Sequence, residues 1–258
     1  MPPVFFFGHG NPMHAIANDR FTQAWAAIGA CLPKPAAILA ISAHWHTRGT
    51  HVTAMEMPRT IHDFGGFPPA LSQVQYPAPG NPALAGHIAD LLTPVKVGLD
   101  QKWGIDHGTW SVLRHVFPNA DIPLLQLSID ATQPPSFHYA LGKRLSALRD
   151  EGVLIIGSGN IVHNLHAYNW ESESAKPRAA TTSFENSVRQ LLLAGDHQAL
   201  IDYAALGADA RFAVPTPEHY LPLLYIIALQ RDGEQASFPI EGSEGGSISM
   251  LTVEISQP

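Results

Sequence analysis

Five histidines recur in one kind of setting. His9 lies in Gly8-His9-Gly10-Asn11-Pro12, and His44 in Ser42-Ala43-His44-Trp45-His46. His107 lies in Asp106-His107-Gly108-Thr109, and His163 in Asn160-Ile161-Val162-His163-Asn164. Each sits near the end of an apolar run or the start of a helix. His219 follows Pro215-Thr216-Pro217-Glu218, at the entry to an apolar segment of its own. Neutral imidazole is the commonest metal ligand and titrates near neutral pH, so histidines that meet in space can hold an ion or move protons. None of the five forms a compact pair such as His-Glu-x-x-His. Spacing alone therefore leaves two readings open, a shared metal site or ordinary packed and surface histidines. Other chemistries fit less well. Gly157-Ser158-Gly159 is not the five-residue nucleophile elbow, and no Walker loop is present. Glu218 is either a carboxylate ligand or a helix-entry charge favoured by the dipole.

The element that must position His44 is Ala36-Ala37-Ile38-Leu39-Ala40-Ile41, which has no polar break. Such a run reads as a strand buried on both faces, as in parallel sheets covered by helices. Ligands of open α/β sheets bind beyond the carboxyl ends of the strands, where His44 and His46 fall. Two apart on an extended backbone, they share a face. Residues 3–8 form a similar strand ending at His9. Further strands are expected at 51–55, 95–99, 123–129, 153–156 and 246–255. Helices are expected at 19–30, 82–92, from His107 to Val116, and at 136–149, 183–193, 197–204 and 220–229. Asn81-Pro82 is a favourable helix start, with Asn as cap and Pro in the first turn. Residues 58–79 are irregular, aromatic and poor in charge, the character of a pocket wall rather than of disorder. No repeat or linker divides the chain. The expectation is a single α/β domain over residues 1–258, with a mostly parallel central sheet flanked by helices and the site at its C-terminal strand edge.

Composition narrows the function classes. The net charge is −7 and basic runs are absent, which argues against nucleic-acid and anionic-membrane surfaces. The longest apolar run, near residues 221–229, is too short for a membrane span. The single Cys31 cannot form an intrachain disulfide and is expected to be a small buried hydrophobe. With no signal-like N-terminus, the expected location is cytoplasmic.

Several ordered motifs together resemble the 4,5-DOPA extradiol dioxygenase family, within the class III extradiol ring-cleavage dioxygenases. They are Phe7-Gly8-His9-Gly10-Asn11-Pro12-Met13, Ser42-Ala43-His44-Trp45 and Thr60-Ile61-His62-Asp63-Phe64-Gly65-Gly66-Phe67-Pro68. Asp106-His107-Gly108-Thr109-Trp110, Gly159-Asn160-Ile161-Val162-His163-Asn164 and Pro217-Glu218-His219-Tyr220-Leu221-Pro222 complete the set, which spans nearly the whole chain. The resemblance implies a mononuclear non-heme metal site, with Fe(II) for activity and Zn(II) as a possible occupant. It places the metal histidines on His9, His44 and His219. His163 falls on a histidine described either as a metal neighbour or as an acid/base group, and His107 on an acid/base or oxygen-stabilising one. The site so implied departs from the two-histidine, one-carboxylate triad of other class III enzymes; Glu218 is the weaker candidate for that carboxylate.

The implied reaction inserts O2 into a catechol, DOPA-like or related. His46, His62, Phe64, Phe67 and Tyr76 are candidates to line the substrate pocket and stack on a planar ring, with ordinary loop packing as the other reading. The remaining seven histidines, His14 and His138 among them, are assigned to surface or packing roles. The alternatives are a zinc-dependent hydrolase on the same scaffold, which would work without oxygen, and a metal-free binding module. Which catechol, which ring bond and what oligomeric state are not written in the sequence.

Overall fold

A computed structural model describes residues 2–258. Eight strands form one sheet in the order β4-β3-β5-β2-β6-β1-β10-β7. They are β1 (Val4–Gly8), β2 (Ala37–Thr47), β3 (Thr50–Thr53), β4 (Val97–Asp100), β5 (Leu124–Asp130), β6 (Val153–Gly159), β7 (Gln235–Ile240) and β10 (Thr252–Ser256). Two short strands, β8 (Ser243–Glu244) and β9 (Ile248–Ser249), pair as a separate ribbon. The four central strands β5, β2, β6 and β1 are mutually parallel, as their unbroken apolar runs require. Antiparallel pairs occur only towards the edges, β3 on β5 and β10 between β1 and β7.

Alternation along these strands feeds two cores. Val4, Phe6, Leu39, Ile41 and Ile155 face one side, under the helices Pro82–Leu91, Pro135–Arg144, Ala179–Ala194 and Leu221–Ile227. Phe5, Phe7, Ile38, Ala40 and Ile156 face the other, under Arg20–Cys31 and His107–Val116. On that second side Trp25 and Trp110 are fully enclosed, and each such burial contributes about 3 kcal/mol. Strand β6 is reached late in the chain yet inserts between β1 and β2. The crevice beyond that insertion is where the strand order reverses and where an α/β sheet binds its ligand.

The structure adjusts several sequence expectations. The helix expected over 136–149 is two, Pro135–Arg144 and Ala147–Asp150. The strand expected over 246–255 is two, β9 and β10, with Met250 and Leu251 between them, and Gly245 and Gly246, with φ of 51° and 75°, turn the chain from β8 into β9. Strand β7 and the helix Ala208–Ala213 are additional elements. Cys31 is exposed rather than buried, because it is the last residue of its helix and runs out to solvent. The 58–79 stretch holds one helical turn, Pro69–Ser72, and is pinned by the buried Leu71, Val74, Tyr76 and Ala78. Among the described residues no helix is long and apolar enough to cross a membrane.

Candidate metal centre

Register brings the first two histidines level. Phe7, Ser158 and Ser42 form one row across β1, β6 and β2, and His9 and His44 each lie two residues beyond it. Strand β6 ends between them in Gly157-Ser158-Gly159, which has no large side chain to fill the space. His219 is tied to the same strand end: the Asn160 N–H donates to the His219 carbonyl and the His9 N–H to the Gly159 carbonyl, both at 3.0 Å. A Cβ on Gly159 would lie 2.1 Å from the His219 carbonyl oxygen, so only glycine admits this approach. One nitrogen from each of His9, His44 and His219 lies within 4.8 Å of the others.

Each of these imidazoles is held from behind on Nδ1. The His9 Nδ1–H donates to Ser158 Oγ at 2.9 Å, since that hydroxyl spends its own proton on the Gly108 carbonyl. The His44 Nδ1 faces Asp63 at 3.3 Å, and the His219 Nδ1 faces Glu218 at 3.3 Å. With the protons on Nδ1, the three Nε2 atoms are free to take an ion. The Nε2 atoms of His9 and His44 stand 3.1 Å apart, and His219 Nε2 is buried without a hydrogen-bond partner. The His9–His44 contact is a hydrogen bond when one ring carries its proton on Nε2 and a repulsion of lone pairs when both carry it on Nδ1, and the orphaned His219 Nε2 costs desolvation in either case; a cation among the three satisfies all of them. The donor set therefore fits a bound transition-metal ion.

Burial, reinforced by the neighbouring imidazoles, holds His9 and His219 well below the usual histidine range. Burial and the His107 ring bring His44 to about 3 against the pull of Asp63, and burial brings His163 to about 4. All four are neutral near pH 7, the state a metal or a substrate proton requires. For Asp63, burial pushes the carboxyl up, but the His107 hydrogen bond and the nearby rings outweigh it and hold the group at about 2. Asp63 Oδ1 accepts both the backbone N–H and the Nδ1–H of His107, at 3.0 and 2.8 Å, while Oδ2 faces His44. One carboxylate thus orients two imidazoles.

His107 opens its helix with Asp106 as N-cap. Asp106 is wholly buried, and it accepts from Ser42 Oγ at 2.7 Å and from Gln126 Nε2 at 2.6 Å. The His163 ring stacks on His219, 3.5 Å between centroids and 4° from parallel. Glu218, weighed from sequence as a ligand, accepts from Thr216 Oγ1 at 2.7 Å and turns its carboxylate to the back of His219.

All five recurrent histidines line one cavity of about 750 Å³, counted with its open mouth. Phe67 lines it too; Phe64 is not in the lining but stands edge-on to His107 at 5.5 Å. The other pocket candidates are elsewhere. A register shift between Ile41 and His46 breaks the two-residue alternation, and His46 is exposed outside the cavity. His62 hydrogen-bonds to the Val74 carbonyl at 2.8 Å, away from the lining. Tyr76 is 3% exposed and donates its hydroxyl to the Phe117 carbonyl, so its ring is core. Residues not singled out from sequence complete the lining: Leu165, Tyr168, Trp170 and Ile248. Their signal was faint, an aromatic Tyr168-Asn169-Trp170 just past His163. Behind the rim, Glu244 accepts from the Asn11 N–H at 3.1 Å and pairs with His14 at 2.6 Å; His14 in turn pairs with Asp19, the cap of Arg20–Cys31.

Residues 2–241 match the family model of the catalytic LigB subunit of aromatic ring-opening dioxygenase. The chain is 48% identical to the 4,5-DOPA dioxygenase extradiol of Escherichia coli K12, across 98% of this chain and 94% of that one. It is 38% identical to the Beta vulgaris 4,5-DOPA dioxygenase extradiol, across 95% and 93%. The crystal structure of an uncharacterized Escherichia coli K12 protein superposes with a TM-score of 0.87 at 43% identity, covering 99% of this chain and all of that one. Matched over nearly its whole length, and carrying at its strand ends the nitrogen donors such chemistry needs, this chain belongs to the LigB family of aromatic ring-opening dioxygenases.

Proposed function

We propose that this enzyme, an extradiol ring-opening dioxygenase by family, acts on catechols with one ferrous ion held by the Nε2 atoms of His9, His44 and His219. The observation that carries this reading is the cluster of three imidazole nitrogens, two of them 3.1 Å apart and the third buried without a partner. When bound, ferrous iron supplies the redox chemistry that activates O2 and the charge that acidifies the substrate hydroxyls. Zinc suits the same donors but has no redox chemistry, so a zinc-loaded preparation is inactive. A catechol is the substrate class, in keeping with relatives named for 4,5-DOPA.

The chain's own groups do the rest. His163, neutral near pH 7, accepts a proton from a ring hydroxyl; its stacking on His219 favours this acid/base role over a fourth ligand position. His107, anchored on Nδ1 by Asp63, presents its ring at the cavity as the second acid/base group, towards the oxygen that develops charge as the ring opens. Ser158, Asp63 and Glu218 keep the three donor rings turned inward. Phe67 and its apolar neighbours exclude water and pack on the ring. One catalytic domain over residues 1–258 and a reducing, cytoplasmic location belong to the same proposal. A hydrolase and a metal-free module are disfavoured by family membership.

The test is oxygen uptake by enzyme reconstituted with Fe(II), over a panel containing unsubstituted catechol and DOPA. The expected result is uptake matched by a yellow ring-opened product, and none with zinc. A ferrous-loaded enzyme that consumes no oxygen across the panel overturns the proposal.

A further inference from the structure

Apart from its imidazoles, the cavity has two polar side chains in its lining, Asn11 and Tyr168. The Asn11 amide is fixed in orientation. Asn11 caps the short helical turn Pro12–Ala15, and its Oδ1 accepts from the Met13 N–H at 2.9 Å. Its backbone N–H donates to Glu244 at 3.1 Å, which holds the residue from behind. The charge of Glu244 is itself answered by His14 at 2.6 Å. With Oδ1 so engaged, the free end of the amide is Nδ2, which has two protons to donate.

One of these is taken up on the Tyr168 side, where the Asn11 amide lies beside the phenol oxygen. That oxygen is closed off from solvent and has no other partner among the described residues. Burial pushes the Tyr168 hydroxyl up to about 12, so it stays neutral through the physiological range and its oxygen faces the amide uncharged. The second Nδ2 proton has no acceptor nearby. Pro12, Phe67, Leu165, Trp170 and Ile248, which make up the surrounding wall, offer no side-chain oxygen. A donor held at a set angle in an apolar wall is what a pocket uses to orient a ligand.

We propose that Asn11 is a specificity-determining residue that donates Nδ2–H to a carboxylate oxygen on the ring substituent of the catechol, with Tyr168 as the positioning residue that keeps the amide aimed. The inference rests on the catechol reading and names the contact that chooses among catechols. The imidazoles take the ring hydroxyls, so a donor on the Tyr168 side meets what the ring carries. A hydrogen bond to a charged acceptor is stronger than one between neutral groups, and an alkyl substituent would leave the donor unpaired.

The experiment is anaerobic titration calorimetry on Fe(II)-loaded enzyme with unsubstituted catechol, 4-propylcatechol and dihydrocaffeate. The last two share a three-carbon chain and differ in whether it ends in a methyl or a carboxylate. Wild type is expected to bind dihydrocaffeate at least as tightly as 4-propylcatechol. Asn11→Ser keeps an oxygen for the cap and removes the amide donor, and should lower that affinity ratio by about tenfold or more. Asn11→Asp also keeps the cap and sets a carboxylate against the ligand's own, so the ratio should fall further. Tyr168→Phe, which only loosens the amide, should lower it severalfold. Tighter binding of 4-propylcatechol to wild type, or a ratio unchanged in both Asn11 variants, overturns this inference alone. So does an Asn11→Ser enzyme that weakens all three ligands equally, since the contact would then not be with the substituent. If wild type fails to bind even unsubstituted catechol, the catechol reading falls and this inference with it.

Discussion

The floor and the wall of the cavity are made by opposite means. Each floor imidazole rides on, or is tied to, the end of a central strand and carries a partner on its rear nitrogen: Ser158 for His9, Asp63 for His44, Glu218 for His219. The wall comes from irregular chain, and Leu165, Tyr168 and Trp170 face the cavity with shape and apolar area rather than with directed bonds. On the proposed function, reaction geometry would rest with the rigid sheet and choice of substrate with loops that can change without disturbing it.

That contrast is broken most severely by removing a support shared within the floor. Asp63→Asn should weaken iron binding by about 10- to 100-fold, because one carboxylate orients both His44 and His107. Equilibrium titration with Fe(II), read by metal content after gel filtration, checks it; affinity unchanged within about twofold would mean that the rings are held by packing alone.

A smaller effect tests whether the rim depends on charge behind it. Burial alone would lower His14, but the hydrogen bonds and charges of Glu244 and Asp19 outweigh it and raise the group above its ordinary value. A raised histidine stabilises the fold fully below its unfolded pKa and ceases to do so as pH climbs through the raised folded value. His14→Gln should therefore cost about 1 kcal/mol or more at about pH 5.5, and the gap to wild type should narrow towards about pH 9. Urea unfolding of both proteins at the two pH values measures it. A gap that widens with pH would reverse the sign.

The smallest expected effect is at His46. Exposed and outside the lining, it should tolerate His46→Ala with kcat/KM within about twofold and stability within about 0.5 kcal/mol. A tenfold loss in steady-state turnover would return it to the pocket.

The two regions also differed in how far they could be read from sequence. Ile38 to Ile41 and Val153 to Ile156 are unbroken apolar runs, so the central strands and the place of His9 and His44 at strand ends were legible before any coordinates, whereas the level of the two is set by strand pairing that spacing does not show. What those runs cannot convey is a local shift in register. His44 and His46 were expected to share a face, and the irregularity after Ile41 undid that. Strand β7 was missed because it is short, lies at the sheet edge and contains Pro239; its alternation of polar and apolar residues from Gln235 to Phe238 is the signal that could have found it. Tyr76 and His62 stood in an aromatic loop and read as pocket residues; their hydrogen bonds to the Phe117 and Val74 carbonyls turn them to packing. Trp170 escaped notice for the converse reason. Its meaning lies in being bare beside a cavity that only the folded chain reveals.

The close approach of Gly159 to His219 carries a last consequence. With 2.1 Å between the place a methyl carbon would take and a main-chain oxygen, even the smallest side chain there must displace the His219 main chain, just ahead of the Leu221–Ile227 helix. On the proposed function, Gly159→Ala would shift a ligand without altering a single donor atom. The calibre of this reaction chamber is set by a residue that contributes nothing but its lack of bulk.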